Sequence, residues 1–311
     1  MKSAHFSHKA SDGRLIHVWH WLPEGDPKAL ILIAHGMAEH GARYERFAMK
    51  LTAAGYAVWT PDHRGHGKTA TETELGYLAD KDGFRRVVDD LHELAVAASG
   101  EYPGLPLFLF GHSMGSFLAQ YYIALYGQGL AGCVLSGTSG PMPAPLLMGG
   151  KLVAALGCAF KGRRAKAPLA NSMSFGSYND AFKPVRTAFD WLSRDEAEVD
   201  KYVADPLCGF ICTYGFFHDL LEGLTYIHRP DTLGRIPREL PIFMASGAKD
   251  PVGGATGAVD ALEGIYHRLG IKDVGMKLYE GAHHEILNET NREEVMADII
   301  AWLDARHAKA K

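Results

Sequence analysis

Short apolar runs alternate with longer amphipathic segments along most of the chain. The runs consist almost entirely of hydrophobic residues, and small or polar residues follow each of them. This pattern is typical of parallel strands, which bury both of their faces. The predicted strands are residues 29–34, 57–61, 107–110, 133–135, 242–245 and 275–279.

The segments between the runs carry apolar residues at helical spacing. An N-terminal hairpin comes first, because two alternating stretches within residues 4–21 flank an Asp12-Gly13 turn. Strands that alternate with helices indicate an α/β protein with a mostly parallel central sheet and helices on both faces. The predicted helices are residues 44–54, 84–95, 114–126, 255–269 and 292–305.

One interval is too long for a simple connection. Residues 137–240 separate two of the predicted strands, whereas a loop in an α/β unit usually has about two to six residues. We therefore expect an inserted cap, or lid, subdomain at 137–240 and a core made of residues 1–136 and 241–311.

The strongest local motif is Gly-His-Ser-Met-Gly at residues 111–115, which joins a predicted strand to a predicted helix. The two glycines permit the tight turn that exposes the hydroxyl of Ser113. The N-terminus of the following helix directs N–H groups at a carbonyl under attack. Ser113 is the predicted nucleophile, and a helix-capping serine is the alternative.

A nucleophilic serine needs a base and a third group that orients the base. Asp250 follows a predicted strand at the edge of the sheet where Ser113 is expected. It is the predicted acid, and a turn-forming aspartate before Pro251 is the alternative. The loop after the last strand contains His283 and His284. Adjacent loop residues point in different directions, so only one can face Ser113, and the spacing favours neither.

The segment His35-Gly36-Met37 follows the first buried strand. A serine nucleophile on a strand-turn-helix motif needs two N–H donors for the tetrahedral intermediate, one directly after the serine and one in this loop. The backbone amides of Met37 and Met114 are the predicted oxyanion hole. Gly36 is expected beside the substrate.

Five motifs in this order resemble the monoglyceride lipase and lysophospholipase group of α/β-hydrolases, also called serine aminopeptidase-like hydrolases. They are HGMAEHGARY at 35–44, PDHRGHGKT at 61–69, GHSMGS at 111–116, the loop at Asp250, and GAHHEILNE at 281–289. The resemblance implies the α/β-hydrolase fold. It also assigns the base to His284, because the catalytic histidine of that group directly precedes a glutamate.

The resemblance further implies that Glu39 and Arg43 shape the polar end of the pocket, where a glycerol-like group would lie. Two residues depart from the pattern. Ser116 stands where the group usually has glycine, which should alter the helix packing behind the nucleophile. Leu287 stands where monoglyceride lipases can carry a second histidine, a difference that bears on glycerol recognition.

The predicted cap is rich in apolar residues. Residues 145–160 are mostly apolar, and a basic run follows at 161–166. This segment can make peripheral contact with an anionic membrane, roof an acyl pocket, or pack on its own subdomain. Another set recurs at helical spacing, with Cys208 and Cys212 on a neighbouring face, and within it Phe217 is expected in the pocket wall. That set is Phe210, Tyr214, Phe217, Leu221 and Leu224.

Composition excludes several classes of protein. The 311 residues include 32 Lys+Arg and 36 Asp+Glu, a net charge of −4, so we expect no binding of nucleic acid. The cysteines lack CxxC spacing and the histidine pairs lack convergent carboxylates, so neither disulfides nor a metal or cofactor are expected. The N-terminus has no continuous apolar segment, and Lys151 interrupts 145–160, so we expect a cytoplasmic location and no membrane-spanning helix.

The sequence thus predicts a serine ester hydrolase that needs no cofactor. Its expected partner is a small-molecule acyl ester, such as a monoacylglycerol or a lysophospholipid. A small-ester carboxylesterase or an aminopeptidase of the same fold is the alternative, and a catalytically silent binding module is a more distant one. Epoxide hydrolases and dehalogenases use an aspartate as nucleophile, so Ser113 argues against those activities.

Overall fold

Eight strands form a single sheet in this computed structural model, which describes residues 2–308. The strands are β1 Lys2–Lys9, β2 Leu15–Leu22, β3 Ala29–Ala34, β4 Tyr56–Pro61, β5 Leu107–His112, β6 Gly132–Ser136, β7 Ile242–Gly247 and β8 Val274–Tyr279. Their order across the sheet is β1-β2-β4-β3-β5-β6-β7-β8. The predicted strands are confirmed, with ends that differ by at most two residues.

Parallel pairing brings the loops that follow the strands to one edge of the sheet. β1 pairs antiparallel with β2, and β2 pairs antiparallel with β4. The other neighbouring strands are all parallel. The carboxyl ends of β3, β5, β7 and β8 therefore lie at the same edge, and the loops after them can share one site.

Ten helices surround the sheet in the described part of the chain. They are α1 Glu45–Ala53, α2 Gly83–Glu101, α3 Met114–Tyr126, α4 Ala144–Lys161, α5 Pro168–Phe175, α6 Glu196–Ala204, α7 Tyr214–Ile227, α8 Pro230–Leu233, α9 Ala258–Arg268 and α10 Arg292–His307. The helix predicted from residue 255 begins only at Ala258, because Gly257 before it adopts φ +70° and interrupts the helical backbone.

Alternate residues of β3 belong to two separate cores. Leu30 and Leu32 pack in the core that contains residues of α2, α3 and α9. Ile31 and Ile33 pack in the core that contains residues of α1 and α10. Side chains alternate between the two faces of a strand, so the sheet is covered by helices on both faces, as predicted.

The segment between β6 and β7 contains α4 to α8. α7 packs on α2 and α3, and α4 packs on α7. A Cβ atom at Gly157 would lie 2.0 Å from Cδ1 of Tyr214, so this approach of α4 to α7 requires glycine. The division into a core and a cap at 137–240 stays a prediction, and residues 1 and 309–311 of the predicted core lie outside the described residues.

The helical face predicted from Phe210 onwards is wrong at its start. α7 begins at Tyr214, and the hydroxyl of Thr213 accepts a hydrogen bond from the N–H of Phe216 at 3.2 Å as the N-terminal cap. Cys208, Phe210 and Cys212 therefore precede the helix. The reason is local, because a capping threonine favours the extended backbone that begins a helix over continuation of a preceding one.

α4 has an exposed apolar surface. Among the described residues it is the one helix long and apolar enough to cross a membrane by length and composition, with 18 residues of which 6% are buried. The sequence predicts a shorter apolar segment, residues 145–160, that is interrupted by Lys151 and does not span a bilayer. Its exposed apolar side chains are Leu146, Met148, Leu152, Leu156 and Phe160.

Candidate active site

Ser113 occupies a sharp turn between β5 and α3. Its backbone has φ +53° and ψ −120°, a strained conformation for a residue with a side chain. A Cβ atom at Gly115 would lie 2.0 Å from the carbonyl oxygen of Ala34, so only glycine permits this turn to approach β3. The carbonyl of Ser113 accepts hydrogen bonds from the amide of Ser116 at 2.8 Å and from its hydroxyl at 2.6 Å. The serine that replaces glycine at 116 thus holds the turn directly.

Asp250 and His284 form a buried pair in the loops after β7 and β8. Nδ1 of His284 lies 2.9 Å from both carboxylate oxygens of Asp250. Oδ1 of Asp250 also accepts a hydrogen bond from the amide of Val252 at 2.8 Å, so the turn and the pair use the same side chain. Nε2 of His284 is buried and has no hydrogen-bond partner among the described residues.

The charge on Asp250 changes the basicity of His284. Burial disfavours the charged form of His284, but the carboxylate of Asp250 outweighs burial, so the pKa of His284 lies above its ordinary value. The neighbouring ring of His112, with its centroid 4.9 Å away, behaves differently. Burial lowers the pKa of His112 to about 4, and it stays neutral near pH 7. Among these groups His284 is thus the one suited to accept a proton near neutral pH.

His283 points away from this pair. Its Nδ1 lies 2.9 Å from the carbonyl oxygen of Asp190, and its ring contacts that of Phe182 in a tilted arrangement with centroids 3.9 Å apart. The spacing of the sequence left the two histidines equivalent. The structure brings His284 to Asp250, as the resemblance implied, and turns His283 toward the segment between β6 and β7.

The loop after β3 lies against Ser113. A Cβ atom at Gly36 would be 3.3 Å from Cβ of Ser113, so the two residues are neighbours. Gly36, Met37 and Glu39 line the same cavity as Ser113. Met114 begins α3 directly after Ser113. The two residues predicted to supply oxyanion donors, Met37 and Met114, therefore both lie close to Ser113.

Three charged side chains pack against one another at this loop, with Glu39 and Glu285 buried and Arg43 largely buried. Arg43 donates to Glu39 Oε2 at 2.5 Å and to the two oxygens of Glu285 at 2.7 Å each. Oε1 of Glu39 accepts hydrogen bonds from the amide of Gly36 at 2.5 Å and from the hydroxyl of Tyr44 at 2.9 Å. Burial alone would raise the pKa of Glu39 and Glu285, but the Arg43 guanidinium outweighs burial and holds both below their ordinary value.

The cavity in front of Ser113 has a volume of about 690 Å³ and a mixed wall. Gly36 and Glu39, two of the residues predicted to contact substrate, line it. Arg43 instead lines a separate space of about 20 Å³ beside Glu285. Phe217 is not among the described residues that line the large cavity, because its side chain packs in the core, with its ring centroid 5.6 Å from that of Phe216.

Aromatic residues that the periodicity did not indicate form much of the wall. They lie outside a regular amphipathic pattern, so the sequence offers no signal that would select them. These residues are Phe175, Phe189, Trp191 and Tyr202. Phe210, which the periodicity did include, also lines the cavity, although it precedes α7. Polar residues line the cavity as well, namely Asn171, Ser172, Asn179, Asp180, Lys183, Arg186 and Thr187.

Glu289 anchors the loop that carries His284. Its buried carboxylate accepts hydrogen bonds from the amides of His283 at 2.8 Å, Arg194 at 3.0 Å and Thr290 at 2.8 Å. The guanidinium of Arg194 adds a fourth bond at 2.8 Å. Nothing in the sequence beyond its place in the last motif indicates this role of Glu289.

His40, Asp205 and Cys208 bring three atoms of metal-binding type within 4.8 Å of one another. Nε2 of His40 lies 2.9 Å from Oδ2 of Asp205, so these two already satisfy each other. Burial raises the pKa of the Cys208 thiol, which favours the protonated form over the thiolate that binds metals. The cluster is better explained as a contact between two chain segments.

Comparison with known proteins places this geometry in a family. Residues 25–291 match the model of a family described as serine aminopeptidase, S33. The chain is similar to the monoglyceride lipase of Homo sapiens, with 32% identity over 96% of this chain and 90% of the human protein. It is also similar to the monoacylglycerol lipase of Mycolicibacterium smegmatis, with 31% identity over 91% of this chain and 90% of that protein.

A solved structure extends the similarity to three dimensions. The thermostable carboxyl esterase of Bacillus coagulans superimposes with a TM-score of 0.90 and 30% identity, over 99% of each chain. The predicted α/β-hydrolase fold and the resemblance stated from the motifs are thereby confirmed. The chain belongs to the serine aminopeptidase family, S33, of the α/β-hydrolases.

Proposed function

We propose that the chain is a serine hydrolase that cleaves carboxylic esters with Ser113, His284 and Asp250. One observation carries the proposal. His284 is held by Asp250 through Nδ1, while its Nε2 has no partner among the described residues and the side chain lines the same cavity as Ser113. A base held on one side and free on the other is what a serine nucleophile requires.

The reaction follows from these positions. The hydroxyl oxygen of Ser113 attacks the ester carbonyl carbon as Nε2 of His284 takes the hydroxyl proton. The amides of Met37 and Met114 donate to the oxyanion that forms. His284 then protonates the leaving alcohol as the ester C–O bond breaks. Water, activated by the same histidine, hydrolyses the acyl-enzyme, while Asp250 stabilises the charged imidazole.

We propose a monoacylglycerol as the substrate. The wall of the cavity combines aromatic side chains, among them Phe175, Phe189 and Trp191, with polar groups, and an ester with one acyl chain and a hydroxylated head group has the same division. The names of the human and mycobacterial relatives support this choice. Arg43 takes no part in our proposal for the head group, because its guanidinium already binds two carboxylates.

The test is a series of esters from short to long acyl chains, including a monoacylglycerol, a lysophospholipid and an aminoacyl amide. Ser113→Ala should remove nearly all turnover and labelling by a serine-directed phosphonate. Ser7→Ala, at an exposed position of β1, is the matched control. The highest rate on long-chain monoacylglycerol is the expected result.

Other outcomes select the alternatives. Highest rates on the shortest esters would identify a small-ester carboxylesterase, and preference for the aminoacyl amide would identify an aminopeptidase. Absence of both turnover and labelling in the wild type would favour a binding module. Hydrolysis undiminished in Ser113→Ala would refute the assignment of the nucleophile.

We also propose that α4 makes peripheral contact with a membrane. Its exposed apolar side chains continue onto α5, where Leu169 and Met173 are exposed. The basic residues after α4 are partly neutralised, since Arg163 pairs with Asp219 at 2.7 Å. The contact therefore depends on apolar side chains more than on anionic lipid. Residues 137–240 would act as the cap that carries this surface, and the cytoplasmic location stays a prediction.

A further inference from the structure

Residues 202–209, here called the cap brace, run from the last turn of α6 into the segment after it. The cap brace contacts the loop that carries Met37. The carbonyl oxygen of Ala38 accepts two hydrogen bonds from it. The amide of Gly209 donates at 2.9 Å, and the hydroxyl of Tyr202 donates at 2.9 Å. The cap brace thus binds the carbonyl of Ala38, the residue directly after Met37.

Two further contacts join the same segments. Nε2 of His40 lies 2.9 Å from Oδ2 of Asp205. The guanidinium of Arg43 lies over the ring of Tyr202, 4.8 Å from its centroid. The contact between the cap brace and this loop therefore extends along the loop and does not depend on Ala38 alone.

Ala38 needs such support because of its backbone. Its φ of +53° lies in the left-handed region, which favours glycine and is strained for alanine. A strained residue keeps its conformation only where surrounding contacts hold it. The two hydrogen bonds to its carbonyl oxygen are contacts of this kind.

The other side of Met37 is held from within the loop. The amide of Gly36 donates to Oε1 of Glu39 at 2.5 Å. The residues before and after Met37 are therefore both fixed, one by Glu39 and the other by the cap brace. The Met37 N–H shares its peptide unit with the carbonyl of Gly36, whose oxygen lies 2.7 Å from Nδ1 of His35. On the other side of Met37, the cap brace holds the loop through the carbonyl of Ala38.

We propose that Tyr202 is a positioning residue for ester hydrolysis: its hydroxyl holds the carbonyl of Ala38 so that the Met37 amide points at the oxyanion formed on Ser113. This inference rests on the proposed function. It assigns to the segment between β6 and β7 a part in the reaction itself, beyond that of covering the cavity.

The hydroxyl of Tyr202 is committed to this contact. Its single proton is donated to Ala38, and its oxygen accepts from the amide of Gly209 at 3.1 Å. The ring is buried beside Phe189, with centroids 5.0 Å apart. Although Tyr202 lines the cavity, its hydroxyl has no second proton to offer a substrate head group.

The experiment compares wild type with Tyr202→Phe on a p-nitrophenyl acyl ester and on a monoacylglycerol. Loss of a whole oxyanion donor lowers kcat by about 10²–10³, so misdirecting one should lower kcat by about ten-fold. We expect the same factor on both substrates, with KM within about two-fold. The rate of phosphonate labelling should fall in parallel, because the phosphonyl oxygen uses the same donors.

Two variants accompany it. Tyr56→Phe removes a hydroxyl that donates to Asp304 at 2.6 Å at the opposite end of the sheet, and it should leave kcat unchanged. Asp205→Asn weakens the contact to His40 without changing a residue of the cavity wall, and it should lower kcat by a smaller factor on both substrates. The thermal unfolding midpoint is measured for all variants, and if Tyr202→Phe does not fold, Asp205→Asn decides.

Three results would overturn the inference. An unchanged kcat in Tyr202→Phe would do so, as would a loss confined to the monoacylglycerol or expressed only in KM, which would indicate a head-group contact. An unchanged kcat in Asp205→Asn would do so where Tyr202→Phe is unfolded. Failure of the proposed function is distinguishable, because the wild type would then show neither turnover nor labelling.

Discussion

Glu289→Gln should lower the free energy of unfolding, for reasons that the structure gives directly. The carboxylate is fully buried, and each of its oxygens accepts two N–H bonds. Oε1 serves the amides of His283 and Arg194, and Oε2 serves the amide of Thr290 and the Arg194 side chain. Glutamine keeps the shape but turns one oxygen into an NH2 group, which faces two donors with another donor.

The loss of unfolding free energy depends on whether the NH2 group takes the position of Oε1 or of Oε2. The side chain of Arg194 is 34% exposed, so its guanidinium can turn to water if Oε2 is lost. The new NH2 group is then itself a buried donor without an acceptor, because the Glu289 side chain is fully buried, and the remaining bonds lose their charge assistance. An unpaired buried donor costs about 1–3 kcal/mol, and a hydrogen bond to a charged group contributes about 1.5–3 kcal/mol. We therefore expect Glu289→Gln to lower the free energy of unfolding by about 2–4 kcal/mol.

The assay is urea unfolding of wild type and variant at neutral pH, with kcat measured on the folded fraction. The loop that carries His284 should loosen, so kcat should fall as well. Glu293→Gln is the control, because it makes the same chemical change at an exposed carboxylate paired with Lys50. Its unfolding midpoint should match that of the wild type. A loss in Glu289→Gln below about 1 kcal/mol would refute the reasoning from unpaired donors.

The difference in unfolding free energy between wild type and Glu289→Gln should depend on pH. Burial would raise the pKa of Glu289, but the N–H groups around it outweigh burial and lower the pKa below 4.5. A carboxyl group with a lowered pKa stabilises the fold above its ordinary pKa and loses that contribution as the pH falls through the lowered value. The gap in stability between wild type and Glu289→Gln should therefore narrow in acid.

Two further predictions concern the base and the membrane. Glu285→Gln should move the acidic limb of kcat/KM to lower pH, because Glu285 contributes to the raised pKa of His284 and the histidine must be neutral to act. Glu280→Gln, at an exposed position of the same loop, is the control and should leave the limb in place. An acidic limb unchanged by Glu285→Gln would contradict the electrostatic argument. Phe160→Ser should weaken binding to phosphatidylcholine vesicles about ten-fold in a sedimentation assay, since a buried apolar side chain contributes about 1.5–3 kcal/mol. Leu15→Ser, at an exposed position of β2, is its control, and equal binding by both variants would exclude α4 as the contact.

The strands, helices and turns that could be predicted depend on interactions between residues close together in the sequence. The two-residue alternation in β3 and the helical spacing in α2 are local, so both elements follow from the pattern of residues. The turn at Ser113 is partly local, because a Cβ atom at Gly111 would lie 2.3 Å from the carbonyl oxygen of Gly115, whereas Gly115 itself is required by the approach of the turn to Ala34 in β3. The apolar spacing predicts a helix that begins by Phe210, but α7 begins at Tyr214 because Thr213 caps it.

Contacts between distant segments account for what could not be predicted. Arg43 was expected at the polar end of the pocket, but Glu285 lies 242 residues away in the chain and binds its guanidinium in the folded protein. Likewise, nothing near Ala38 in the sequence indicates Tyr202, 164 residues away. Such pairs depend on how the segment between β6 and β7 packs onto the loops at the edge of the sheet.

By itself the sequence determined the order of the elements, the candidate nucleophile with its acid and the pair of histidines beside them, because each depends on residue types at short spacing. Only the tertiary structure decided that Phe217 packs in the core and that the cap brace holds the loop of Met37. It also brings to Asp250 the histidine, His284, that the spacing did not select and the family resemblance implied. The physical reason is that side-chain direction and burial are set by packing between segments far apart in the chain.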